Sequence, residues 1–142
     1  MDRVLAFALD LLHLPCGADD IVRREPVFDE IERTLRHMHE IATRTDAQLT
    51  TFTQGKAYVV PWFPDWHDRV RKLNSVTRTL AAEHGAVVVD MWDHPLNERE
   101  NLLSADRIHF STSGQAVMAS EMITELARKL DDAADPPTAR PA

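Results

Sequence analysis

Apolar positions along the chain change period several times, and the changes mark out its elements. Val4–Pro15 is apolar and nearly continuous, interrupted by Asp10 and His13, and ends at Cys16-Gly17. That run predicts a strand buried on both faces, as in a parallel sheet. After Ala18-Asp19-Asp20, the residues Val27, Phe28, Ile31, Leu35, Met38 and Ile41 step by three and four. They predict an amphipathic helix over Pro26–Thr43. Gln48–Thr53 predicts a short second strand, and Gln54–Asp65, with Gly55, Pro61 and Pro64, a loop. A second helix is expected over Trp66–His84, with Val70, Leu73, Val76 and Leu80 on one face and Gly85 as its stop. Ala86–Met91, with three consecutive valines, is the clearest strand. Trp92–Ala105 reads as a polar loop. Gly114–Leu130 reads as a last helix, with Val117, Met122, Ile123, Leu126 and Leu130 facing inward. Asp131–Ala142 is rich in charge and proline, which predicts a disordered tail.

The order strand-helix-strand-helix-strand-helix implies parallel strands, right-handed crossovers and helices on both faces of the sheet. Sites in such sheets form at the C-terminal ends of the strands. Cys16–Asp20, the segment from Thr53 onward and the Trp92–His109 loop all fall there.

Composition narrows the function. The chain has 142 residues, 44% of them hydrophobic, and a formal net charge of −7. That is enough for one modest core. The acidic balance argues against nucleic acid, which calls for a basic patch. A lone cysteine, Cys16, forms no internal disulfide framework. No stretch reaches the ~18 apolar residues of a membrane span. Asp10 and His13 break up the N-terminal apolar run, and Pro15-Cys16 makes no small-residue cleavage site, so a cytoplasmic chain is expected.

The candidate chemistry lies in Asp106-Arg107-Ile108-His109. An Asp three residues before a His, in a loop leading to a helix, suits an acid–base pair. The carboxylate orients the imidazole and stabilises its charged form while the other ring nitrogen faces a reacting hydroxyl. Ser111 and Ser113 precede Gly114 and read as helix caps. Cys16 reads as a small buried residue rather than a nucleophile, since nothing local lowers its pKa. Asp90, Asp93 and His94 lack a recognised ligand spacing and read as loop contacts, and neither metal nor cofactor is expected. His37 and His39, two apart on a helix, do not share a face. Trp62, Phe63 and Trp66 read as loop packing or a pocket wall.

With these residues in view, the chain resembles the SGNH/GDSL hydrolase family over about residues 4–130. Leu11–Asp20 resembles the family's strand ending in Gly-x-Asn-Asp. Leu73-Asn74 through Gly85–Trp92 resembles its helix and strand before the last motif. Asp106–Gln115 resembles its Asp-x-x-His block. The resemblance implies a three-layer α/β/α, flavodoxin-like parallel sheet and hydrolysis of small-molecule carboxylic esters. It makes His109 the general base, with Asp106 orienting it, Gly17 and Asp20 supporting, and Asp19 at the oxyanion-hole position.

Two departures shape the expectation. No glycine in the chain is followed by Asp-Ser, the family's nucleophile motif. Asp19 stands where the family has Asn, and an ionised carboxylate offers only acceptors where a developing oxyanion needs a donor. Residues 1–130 are therefore expected to form a partial domain lacking the first strands of the family's sheet, inactive alone. The alternative is a non-catalytic binding module. The unpaired edge of the Val4–Pro15 strand is expected to promote self-association.

Overall fold

A computed structural model describes residues 2–134. Its sheet has three parallel strands in the order β1-β2-β3, namely β1 (Leu11–His13), β2 (Gln48–Phe52) and β3 (Val87–Val89). Register places Leu12 beside Leu49 and Thr51 beside Val88. The helices are α1 (Asp2–Leu5), α2 (Ala18–Ile21), α3 (Phe28–Ala42), α4 (Trp66–Glu83) and α5 (Thr112–Ala134).

Alternation along β2 sorts the two layers. Leu49 packs with Leu14 and with Ala42 of α3. Phe52 points the other way, into a cluster with Val89 of β3 and Met118 and Met122 of α5. α4 packs on β2 and β3, α2 and α3 pack on α4, and α5 packs on β3. The result is the expected α/β/α arrangement, with helices on both faces of a parallel sheet. The larger core lies between α3, α4 and the loop after β2, around Ile21, Leu35, Val60, Trp66, Val70 and Leu73. No helix among the described residues is long and apolar enough to cross a membrane.

Three expectations need correction. Val4–Pro15 is not one buried strand. Residues 2–5 make a helical turn, and only Leu11–His13 is extended. A doubly buried strand needs cover on both faces, yet Leu11 and His13 point to an open face. Leu11 is 47% exposed and Phe7 65%. The last helix starts at Thr112 and runs to Ala134, so the tail expected from Asp131 is helical for its first four residues. Its remainder, residues 135–142, lies outside the described residues. On α5 the buried positions are Gly114 and Met118, with Val117 and Met122 beside them. Ile123 and Leu130, expected inside, are exposed. The 23 helical residues span about 35 Å. The three-residue strand beneath them covers only about 10 Å. Beyond Leu126 the helix has outrun its sheet.

Candidate active site

The residues from Ser104 to His109 form a tight excursion closed like a hairpin. Leu103 and Phe110 make an antiparallel bridge. Ser104 N–H donates to His109 O at 2.8 Å, and Ser111 N–H donates to Leu102 O at 3.0 Å. Arg107 sits at φ 59°, a left-handed conformation that lets the chain reverse there. The reversal brings three donors onto one carboxylate oxygen. Asp106 Oδ1 accepts from Ser104 Oγ at 2.6 Å, Ile108 N–H at 2.9 Å and His109 N–H at 3.1 Å. Its other oxygen, Oδ2, lies 2.8 Å from His109 Nδ1. The His109 ring and these donors hold the Asp106 carboxyl well below the usual carboxylate range. An ionised Asp106 accepts a hydrogen bond from Nδ1–H, which favours the tautomer with the lone pair on Nε2. The His109 side chain is 78% exposed.

α5 fixes this loop from behind. Ser111 Oγ accepts from Gly114 N–H at 2.9 Å and caps the helix, as expected. Ser113 instead donates to Asn101 O at 3.1 Å, since it already lies in the first turn. A Cβ on Gly114 would stand 2.0 Å from Leu102 O, so only glycine lets the helix approach this closely.

The segment after β2 faces the dyad. Asn74 of α4 is 1% exposed. It accepts from Gln54 N–H and donates to Gln54 O, both at 2.8 Å. Asn97, in the 3-10 turn Pro95–Glu98 that interrupts the expected Trp92–Ala105 loop, accepts from Ala57 N–H at 3.1 Å. Its amide donates to Met91 O at 2.7 Å and His94 O at 2.9 Å. The two asparagines thus brace both ends of the Gln54–Ala57 turn. This turn, Phe52, Tyr58, Met91, Leu102, Leu103 and residues 108–110 line a pocket of about 180 Å³ with His109 at its wall.

Gly17 takes φ 96° at the start of α2, where a Cβ would meet Leu73 Cδ1 at 2.6 Å. Asp20 pairs with Arg23 at 3.1 Å. Asp19 is exposed. Tyr58 lines the His109 pocket and belongs to the same core cluster as Ile21 of α2, and burial first, then the charge of Asp19, raises its hydroxyl pKa. Arg69, 8% exposed, ties α2 down by donating to Ile21 O, Arg23 O and Arg24 O at 3.1, 2.7 and 3.2 Å. Burial, then Asp20, pushes the Cys16 thiol up, the opposite of what a nucleophile needs.

Asp90, Asp93 and His94 go to different partners, as loop contacts. Asp90 takes Arg78 and Thr53, Asp93 takes Lys56, and His94 lies beside Glu121. Trp66 is buried and its indole donates to Tyr58 O at 2.7 Å, whereas Trp62 is exposed. His39 is buried and His37 exposed. Sequence reasoning missed the bracing role of Asn74 and Asn97 and the pocket position of Tyr58. Gly55 was the available signal, because its missing Cβ would stand 2.3 Å from Asn97 Oδ1.

Residues 1–117 match the GDSL-like Lipase/Acylhydrolase family. No curated protein sequence matches. Among solved structures, the acetylxylan esterase of Geobacillus stearothermophilus aligns with a TM-score of 0.67 at 20% identity, over 86% of this chain and 61% of that one. A mutant of that enzyme, described as an acetyl-xylooligosaccharide esterase, aligns with a TM-score of 0.64 at the same identity and coverage. The likeness shows a shared fold, and the chain spans about 61% of the length of these proteins.

Proposed function

The chain belongs to the GDSL-like lipase/acylhydrolase family, and from that premise we propose that it carries the acid–base half of a carboxylic-ester hydrolase site. The 2.8 Å contact between Asp106 Oδ2 and His109 Nδ1, at the C-terminal side of the sheet, carries the reading. His109 Nε2 takes the proton of a serine hydroxyl as that oxygen attacks the ester carbonyl. It then returns the proton to the departing alkoxide, and Asp106 stabilises the intervening imidazolium. The hydroxyl comes from outside these 142 residues, since they hold no Gly-Asp-Ser motif. The chain alone hydrolyses nothing. An acetylated sugar is the first ester to try, because the structurally similar protein is an acetylxylan esterase.

The test is turnover of a short-chain aryl ester, with intact mass after exposure to a fluorophosphonate probe. The chain alone is expected to give neither turnover nor adduct. Supplying a Gly-Asp-Ser strand segment of the family, fused or mixed, should give both, and His109→Ala should remove at least a hundredfold of the turnover, the usual size of a general-base contribution (~10²–10⁴). Turnover that survives His109→Ala refutes the reading. A second reading, a non-catalytic binding module, is favoured by Asp19. Its exposed carboxylate brings no donor to an oxyanion. Ligand binding without turnover in the completed protein would select it.

A further inference from the structure

The pocket beside His109 is lined chiefly by apolar side chains and backed by core, and we infer that it receives the acyl part of the ester and restricts it to short chains. This rests on the ester-hydrolase reading above. His109 stands at the pocket wall, so a carbonyl within reach of the dyad places one of its substituents there. The lining is chiefly Phe52, Met91, Leu102, Leu103 and Phe110, which suits an alkyl chain better than a hydroxylated alcohol.

Two features set the length limit. The lining residues Met91 and Leu102 belong to a buried cluster with Val89, Leu96 and Met118, every one less than a tenth exposed, so a longer chain displaces core. In front, the Gln54–Ala57 turn is held at both ends by hydrogen bonds to Asn74 and Asn97. Phe52 and Phe110 meet edge to face at 5.8 Å and close one side. The volume of about 180 Å³ is roughly six times one water's ~30 Å³ share of the liquid. A methylene is of similar size, so the pocket holds a chain of about six carbons.

The experiment titrates the full chain with straight-chain carboxylates, the acid products of hydrolysis, from acetate to dodecanoate. Binding is read from the NMR shifts of the His109 ring and of the Leu102 and Leu103 methyl groups. Affinity should rise about fourfold per added methylene, the usual value of burying one, as far as about hexanoate, and then stop rising. Ala57→Leu should fill the mouth and move the limit to shorter chains. Leu103→Ala should move it to longer ones, so the proposal survives if either variant fails to fold. Affinity that climbs steadily to dodecanoate overturns the proposal, as does the absence of shifts at these methyl groups with every acid. Failure of the ester-hydrolase reading looks different. Chain-length-limited binding would persist while the serine-completed protein turned over no ester.

Discussion

Asn74→Ala tests whether the site is held by hydrogen bonds rather than by packing alone. The side chain is 1% exposed on α4, and among the described residues its hydrogen-bond partners are the two polar groups of the Gln54 backbone, each at 2.8 Å. Truncation leaves one N–H and one C=O without these partners. A buried polar group left unsatisfied costs about 1–3 kcal/mol. Two such groups give about 2–6 kcal/mol, and because Gln54 is half-buried, water recovers part of it. The expected destabilisation is about 2–4 kcal/mol. Urea unfolding followed by circular dichroism measures it, with an unchanged denaturant slope showing that the native and unfolded states are otherwise the same. Asn74→Asp keeps an acceptor for Gln54 N–H but buries a carboxylate against Gln54 O, so at neutral pH it should destabilise at least as much as alanine. A loss below about 0.5 kcal/mol for Asn74→Ala, within the range of ordinary surface substitutions, would refute the claim that this asparagine braces the turn.

Gly114→Ala should lower the melting temperature and perturb the Asp106–His109 loop in NMR spectra. Its Cβ meets the Leu102 carbonyl at 2.0 Å, and relief of such overpacking costs about 1–3 kcal/mol. Burial, the largest cause, lowers the His39 pKa below its ordinary 6.5, with smaller contributions from His84 and Arg36, against an opposing hydrogen bond to Leu35 O. The unfolded chain therefore takes up this proton more readily, and stability is lost as pH falls below 6.5. His39→Leu should flatten that part of the pH–stability curve. Asp90, paired with Arg78 and Thr53, is held down to about 2 from 3.8, so its contribution is present above 3.8 and lost as pH falls toward 2. Arg78→Met should remove most of it, with a small effect because the pair is half-exposed. Leu11→Lys on the open β1 edge should abolish any concentration-dependent association seen by analytical ultracentrifugation.

Periodicity made the middle of the chain legible. The stripe of Ile31, Leu35 and Met38 and the stripe of Val70, Leu73 and Leu80 each point one face at the core, and those helices end within two residues of where the pattern places them. The ends of the chain were less legible, for one reason. An apolar run states that a segment is suited to burial but not that cover exists. Leu11, Ile123 and Leu130 match the patterns of buried residues, yet each lies where the described chain supplies no covering element. The Asp106–His109 contact was readable because a three-residue Asp-to-His spacing survives folding as a local contact. The bracing of Gln54 by Asn74 was not, since it joins residues 20 apart through geometry that no local pattern encodes.

The measurement that tests the central claim most directly is the tautomer of His109, read from long-range proton–nitrogen NMR correlations at a pH where the ring is neutral. If Asp106 orients a base, the proton resides on Nδ1 and Nε2 carries the lone pair, and Asp106→Asn erases that preference. A ring with its proton on Nε2, or one indifferent to Asp106→Asn, would contradict the account.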